Sequence, residues 1–345
     1  MTLSGALMRT LRTIAIVAAF IAGLALFLVV LRYDAVRAAA ALVDGSFGSW
    51  YAFGSGTLVR ATPLVITGLA VAIAFRGGVF NVGAEGQFLM GATAATAVAL
   101  YGPRINSAAT VALCFFAGAV LGVTWAAIAA ILRTRFHALE VISTIMLNFA
   151  AMYLVSYLVR GPMQEPTHVY PQTASIPHAA ELSRLPGGTR LHVGLVVALV
   201  SAGVAWWMMR STAAGFRLRV TGLNPDAASS AGRINVRRVV FVAFAISGAL
   251  AGLAGAIEVQ GVTFALYENI SPGYGYTAIA VALLARLDAA LVVPAGILFG
   301  ALEAGAAAMQ RDAGVPSVVV SVVEAALILA LLASRGIRQR FRETV

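Results

Sequence analysis

The sequence predicts an all-α, polytopic membrane protein, and three observations predict it. Hydrophobic residues make up 60% of the chain and charged residues 11%, against about 25% charged in ordinary soluble domains. Mean hydropathy is +0.90. Apolar stretches long enough to cross a hydrocarbon core, roughly 20 residues each, recur along the chain with short polar breaks between them.

About ten transmembrane helices are expected: 14–31, 59–75, 79–100, 108–132, 140–159, 191–209, 239–261, 273–286, 289–309 and 315–333. Arg9 and Arg12 ahead of the first stretch, with Ala38-Ala39-Ala40 after it, imitate a signal peptide. The apolar run is too long for one, and more spans follow, so an uncleaved first helix is expected. No stretch between spans is long and apolar enough for a separate soluble domain, and residues 1–345 read as one membrane domain.

All 24 basic residues are arginine, and the formal net charge is +10. With ten spans, sixteen arginines fall on the side of the termini and eight on the other. The positive-inside rule then places both termini in the cytoplasm. The arginines are dispersed over connecting loops rather than gathered with aromatics, which argues for topology and against a nucleic-acid partner. Without lysine the chain has no standard nucleotide-binding P-loop, so energy from ATP must come from a partner.

The chain is organised around Ala61–Leu100. An apolar segment reaches Phe75, breaks at Arg76-Gly77-Gly78, and passes through Asn81-Val82-Gly83-Ala84-Glu85-Gly86-Gln87 before apolar sequence resumes. Polar, glycine-rich backbone at membrane depth is tolerated only where it is buried in protein or lines a cavity. A second break, Ser271-Pro272-Gly273-Tyr274-Gly275-Tyr276, opens the short span 273–286. The two breaks occupy matching places in blocks 59–159 and 239–333, which enter the membrane from opposite sides in this topology. Interrupted segments at corresponding places in two inverted halves point to a binding site near the midplane; two unrelated kinked hairpins are the plainer alternative.

Glu85, Glu258, Glu303 and Glu324 fall within apolar spans. A carboxylate at the bilayer centre costs about 2.5–3.5 kcal/mol on insertion scales, so each should face protein or water. They fit a solute path, a proton relay, or a carboxylate bonded to backbone at a helix break. Asn148, mid-span, suits either a polar solute or a neighbouring helix. Tyr274 and Tyr276 suit stacking on a sugar or base, or an interfacial aromatic belt. Asn81, Glu85, Gln87, Asn148, Tyr274 and Tyr276 form the candidate path set.

The outer loop 160–190 carries five prolines and reads as a cap or plain connector. The cytoplasmic loop 210–238 is more specific. Asn224 is a good N-cap, Pro225 suits the first helical position, Asp226 favours the positive helix end, and Gly232 suits a left-handed terminus. A two-turn helix over 225–231 follows. One so short is marginal in water, so it should dock on another surface. Cys114 lies in an apolar run and is expected to pack in the core. His137, His168, His178 and His192 sit in loops or at span ends, and no HExxH, cysteine pair or intramembrane serine–histidine pair is present. No metal or cofactor is expected, and neither is an intramembrane protease.

Gly77–Gln87 resembles a signature of ABC importer permeases for nucleosides and simple sugars, within the branched-chain amino acid and ribose permease group. Glu140-Val141-Ile142-Ser143-Thr144-Ile145-Met146-Leu147-Asn148, with Gly161-Pro162, and Gly273–Leu284 are similar to the same family. The resemblance implies that Gly222–Gly232, with Arg219, Gly222, Asn224, Pro225, Asp226, Ala227, Ala228 and Gly232, couples to a cytoplasmic ABC ATPase. It also implies a second, related permease as heterodimer partner and an extracytoplasmic substrate-binding lipoprotein, at a bacterial cell membrane. Arg286 departs from the small residues common in relatives. An ion-coupled secondary transporter using the buried glutamates, and a membrane scaffold, are the rivals from other classes.

Overall fold

The computed structural model describes residues 29–30, 32–103, 105–230, 234–316, 318–319, 321–322 and 325. Among them the regular structure is helical: α1 (Ala35–Phe47), α2 (Val59–Arg76), α3 (Ala84–Tyr101), α4 (Ser107–Phe136), α5 (Glu140–Arg160), α6 (Gly194–Ser211), α7 (Ala213–Leu223), α8 (Pro225–Ser230), α9 (Val236–Glu258), α10 (Tyr274–Leu284) and α11 (Ala289–Ala313). Each of the eight expected spans between 59 and 309 overlaps one of these helices, with ends that differ by a few residues. The expected span 14–31 lies almost wholly outside the described residues, as do most of 315–333 and Glu324.

Among the described residues, six helices are long and apolar enough to cross a membrane: Ala52–Arg76, Ser107–Phe136, Glu140–Arg160, Gly194–Ser211, Val236–Thr263 and Ala289–Ala313. Two expected spans fall short of that group for visible reasons. Helix α3 opens on Glu85 and Gln87, and α10 is an 11-residue helix between the Ser271–Gly273 break and the turn at Arg286.

The chain divides into two compact units. In the larger, Leu58–Gly300, α2 and α3 are buried along almost their whole length. Helices α4, α5 and α6 bury only one narrow face each, with residues such as Phe116, Tyr153, Val200 and Trp207 exposed. Helix α9 packs on α2, α3 and α4, and α10 packs on α2. Small residues set these crossings. A side chain at Gly91 in α3 would strike the backbone of Gly252 in α9, and one at Gly122 in α4 would strike the carbonyl oxygen of Gly248. Such approach lets backbones meet where apolar lipid offers no hydrophobic drive to association.

The smaller unit comprises residues up to 57 and from 301 onward. Here α1 is capped by Asp34, whose carboxylate accepts the N–H groups of Val36 and Arg37 at 3.0 Å each. The Ser46 hydroxyl reaches the Ala301 carbonyl at 2.6 Å. Helix α1 was not among the expected spans: its 13 residues include Arg37 and Asp44 and fall short of a crossing. Asp34 before an alanine-rich run was the available signal.

Candidate functional site

The two glycine-rich breaks, far apart in sequence, meet in the larger unit. Both end at the start of a helix, α3 and α10, and the first N–H groups of a helix have no partner inside it. In a membrane they must be satisfied by other protein groups. Side chains from neighbouring helices do this.

At α3, the Asn148 side-chain oxygen in α5 accepts the Gly86 N–H at 2.8 Å, and the Asn148 amide donates to the Val82 carbonyl at 3.0 Å. The Thr144 hydroxyl, one turn earlier on α5, accepts the Val82 N–H at 3.3 Å. Asn81 folds back to accept the Gly83 N–H at 2.9 Å. Its amide nitrogen lies 3.1 Å from the Gln87 side-chain oxygen and 2.9 Å from the Ser247 hydroxyl of α9. At α10, the Glu85 carboxylate accepts the Gly275 N–H at 2.7 Å. A side chain at Gly275 would collide with the Glu85 backbone, so the approach requires glycine there. The Ser271 hydroxyl caps α10 locally, accepting the N–H groups of Gly273 and Tyr274 at 3.1 and 3.0 Å.

The predicted path residues therefore converge. Asn81, Glu85, Gln87 and Asn148 are all buried, and Tyr274 packs its ring 5.7 Å from Phe88. Tyr276 is different. The residue is 44% exposed while its hydroxyl accepts the Asn148 amide at 3.2 Å, so it carries the node to the surface of the larger unit. Sequence reading missed Ser247 and Thr144 because an isolated hydroxyl in an apolar helix most often bonds its own preceding turn. Thr144 does that too, to Glu140 at 2.7 Å.

Among the other carboxylates, Glu258 ends α9 and is buried, with one oxygen lacking a hydrogen-bond partner among the described residues. Glu303 is half-buried in α11. Arg286 and Leu287 both adopt left-handed backbone, with φ of 56° and 58°, which forms the tight turn into α11. The unusual arginine thus lies beyond the end of α10, outside the contacts of the node.

On the loop between α6 and α9, α8 forms as its capping residues dictate. The Asn224 side chain accepts the N–H groups of Asp226 and Ala227 at 3.0 Å each. Pro225, Asp226 and Ala227 are exposed and Ala228 is buried, while Gly232 lies outside the described residues. Helix α7, which carries Arg219 and Gly222, was not anticipated. The signal for it was Thr212, whose hydroxyl accepts the Gly215 N–H at 3.1 Å as an N-cap.

The loop 160–190 is tied down by backbone bonds. Backbone bonds join Thr173 to Leu266, Ile176 to Phe264 and Leu182 to Gln260, each 2.8–2.9 Å. The two Glu268 carboxylate oxygens accept from one edge of the Arg160 guanidinium, at 2.6 and 2.7 Å, and the Ser156 hydroxyl also donates to this carboxylate. These bonds hold the Glu268 carboxyl far below the usual carboxylate range, at about 2.

Buried helix starts capped in trans, within a bundle of apolar helices, define a polytopic helical membrane protein. The chain belongs to the family described as "Branched-chain amino acid transport system / permease component", whose profile matches residues 53–332. It is 39% identical to the guanosine ABC transporter permease protein NupP of Bacillus subtilis, over 94% of this chain and 93% of that protein. It is 38% identical to the glucose ABC transporter permease protein TsgB13 of Haloferax volcanii, over 89% and 83% of the two chains. Against the nucleoside ABC transporter permease protein NupB of Lactococcus lactis the identity is 32%, over 91% and 88%. No solved structure matches the chain significantly.

Proposed function

We propose that this chain is the membrane-spanning permease subunit of an ATP-binding-cassette importer that moves nucleosides inward across a bacterial cell membrane. The likeness to the guanosine permease protein, at 39% identity over 94% of the chain, carries this reading. The Asn224-capped α8 supports a cytoplasmic ATPase as energy source: a two-turn helix exposed on most of its surface needs a docking partner to be stable. ATP binding and hydrolysis in that partner would shift the permease between outward- and inward-facing states through their different nucleotide affinities.

Asn81, Glu85, Gln87, Asn148, Tyr274 and Tyr276 lie beside the solute path in this account. The first four hold the two helix starts, and Tyr276 offers an exposed ring and hydroxyl to a base or sugar. Both termini lie in the cytoplasm, as the arginine distribution favours. A second related permease completes the membrane unit as a heterodimer, and an extracytoplasmic binding lipoprotein delivers solute. ATP hydrolysis belongs to the separate ATPase chain. The glucose permease relative, at 38% identity, supports a second reading, a simple sugar such as ribose as the solute.

Uptake of radiolabelled guanosine by cells expressing the complete transporter, with a tenfold excess of unlabelled ribose or glucose, separates the two. Saturable, ATP-dependent guanosine uptake unaffected by either sugar is the expected result. Sugar uptake without nucleoside uptake supports the second reading. Uptake that collapses with the proton or sodium gradient and ignores ATP contradicts both.

A further inference from the structure

The turn Arg76-Gly77-Gly78, at the inner end of α2, is gripped from two directions. From the cytoplasmic loop, α7 lies against it. Leu218 is 1% exposed, and its Cδ2 would be 3.0 Å from a side chain placed at Gly77. Thr221, one turn on, is also buried. At Gly222 no side chain fits: a Cβ there would strike the Arg76 carbonyl oxygen and lie 2.9 Å from the Gly78 nitrogen. Gly78 returns the contact. Its φ of +73° is a glycine conformation, and a Cβ on it would be 3.0 Å from Gly222 Cα. Two backbones thus touch without side chains between them.

From the membrane side, Arg133 at the inner end of α4 donates to the Gly78 carbonyl at 3.1 Å and pairs with Glu140 at 3.2 Å. Glu140 is the first residue of α5, the helix whose Thr144 and Asn148 cap the start of α3. Three residues after Gly78 the chain reaches Asn81, bonded to Gln87 and Ser247. A displacement of α7 therefore meets the 76–78 turn backbone to backbone, with no flexible side chain to absorb it. The turn leads into both caps of the buried node.

We propose that the Gly222–Gly78 contact is the joint through which movement of the cytoplasmic segment Ala213–Ser230 reaches the Asn81–Asn148 node. The proposal rests on the reading of α8 as the ATPase docking helix. It gives Gly222 a role in contacts within the permease, beside the ATPase coupling that the family resemblance implies for the segment Gly222–Gly232.

The test uses the complete transporter with a photo-crosslinking amino acid at Ser229, an exposed residue of α8. In the otherwise unchanged chain this residue should cross-link to the ATPase; absence of the cross-link removes the docking reading itself, and the joint with it. Gly222→Val should retain the cross-link and lose at least tenfold in uptake, with Gly222→Ala intermediate. Unchanged uptake in Gly222→Val with the cross-link intact overturns the proposal. Should Gly222→Val fail to accumulate in the membrane, Arg133→Gln decides, because it adds no volume and releases the turn from α4. At least a tenfold loss of uptake with the cross-link retained supports the joint, and normal uptake overturns it.

Discussion

The Glu85 carboxylate accepts the backbone N–H of Gly275 at 2.7 Å across 190 positions of chain. An intramembrane glutamate is thereby the cap of a helix to which it does not belong. The acceptor satisfies a donor that lipid cannot.

This relationship separates two functions of one residue. Glu85→Gln keeps an acceptor for the Gly275 N–H, and Glu85→Ala leaves that donor unpaired, at about 1–3 kcal/mol. Thermal unfolding in mild detergent should show a lower midpoint for the alanine variant and little change for glutamine. If the carboxylate also meets solute, the glutamine variant loses uptake at unchanged stability. Equal midpoints for both variants would remove the capping account.

Asn148 joins α5 to the start of α3 and to Tyr276 through three hydrogen bonds. Asn148→Leu keeps approximate size and loses all three. Interhelical bonds in membranes average about 0.6 kcal/mol, so the expected destabilisation is on the order of 2 kcal/mol. Tyr276→Phe loses one bond and should cost less than half as much. The comparison is made by unfolding of the two purified variants, and a reversed order contradicts the geometry.

The helix crossings predict a contrast between two glycines. Gly91→Ala places a methyl into the Gly252 backbone and should prevent accumulation of folded protein. Gly203→Ala, in α6, meets nothing within 4 Å and should be tolerated. Size-exclusion profiles of fluorescently tagged variants report both outcomes. Normal accumulation of Gly91→Ala would show that α3 and α9 do not cross this closely.

Beside loop 160–190, bonds from Arg160 and Ser156 hold the Glu268 carboxyl at about 2. A depressed carboxylate stabilises the fold above its unfolded value and loses that contribution as pH falls through the folded one. The tether of loop 160–190 should therefore persist from pH 8 to pH 5. Limited proteolysis of that loop should be flat over this range, and Glu268→Gln should accelerate it at every pH. A sharp rise in wild-type cleavage between pH 6 and 5 would contradict the assignment.

Much of this was legible in residue patterns. Membrane crossing follows from apolar length alone, and α8 followed from Asn224 and Pro225, whose capping chemistry is local. The two breaks were visible as polar, glycine-rich interruptions of apolar sequence. Their meeting was not, because sequence gives no distance between Glu85 and Gly275. Helix α7 was hidden because Arg217 and Arg219 give it no hydropathy signal, and α1 because it is too short to cross. Ser247 became part of the site only once packing set α9 against α3.

The central claim, that this chain is one permease of an ATP-driven importer, is tested most directly by what it binds in its own membrane. The chain is tagged at its C-terminus, extracted from native membranes in mild detergent, and its stoichiometric companions are identified by mass spectrometry. The account predicts an ABC ATPase and a second, related permease. A lone homo-oligomer, reproduced across detergents, would contradict it and direct attention to the buried glutamates and a gradient-driven mechanism.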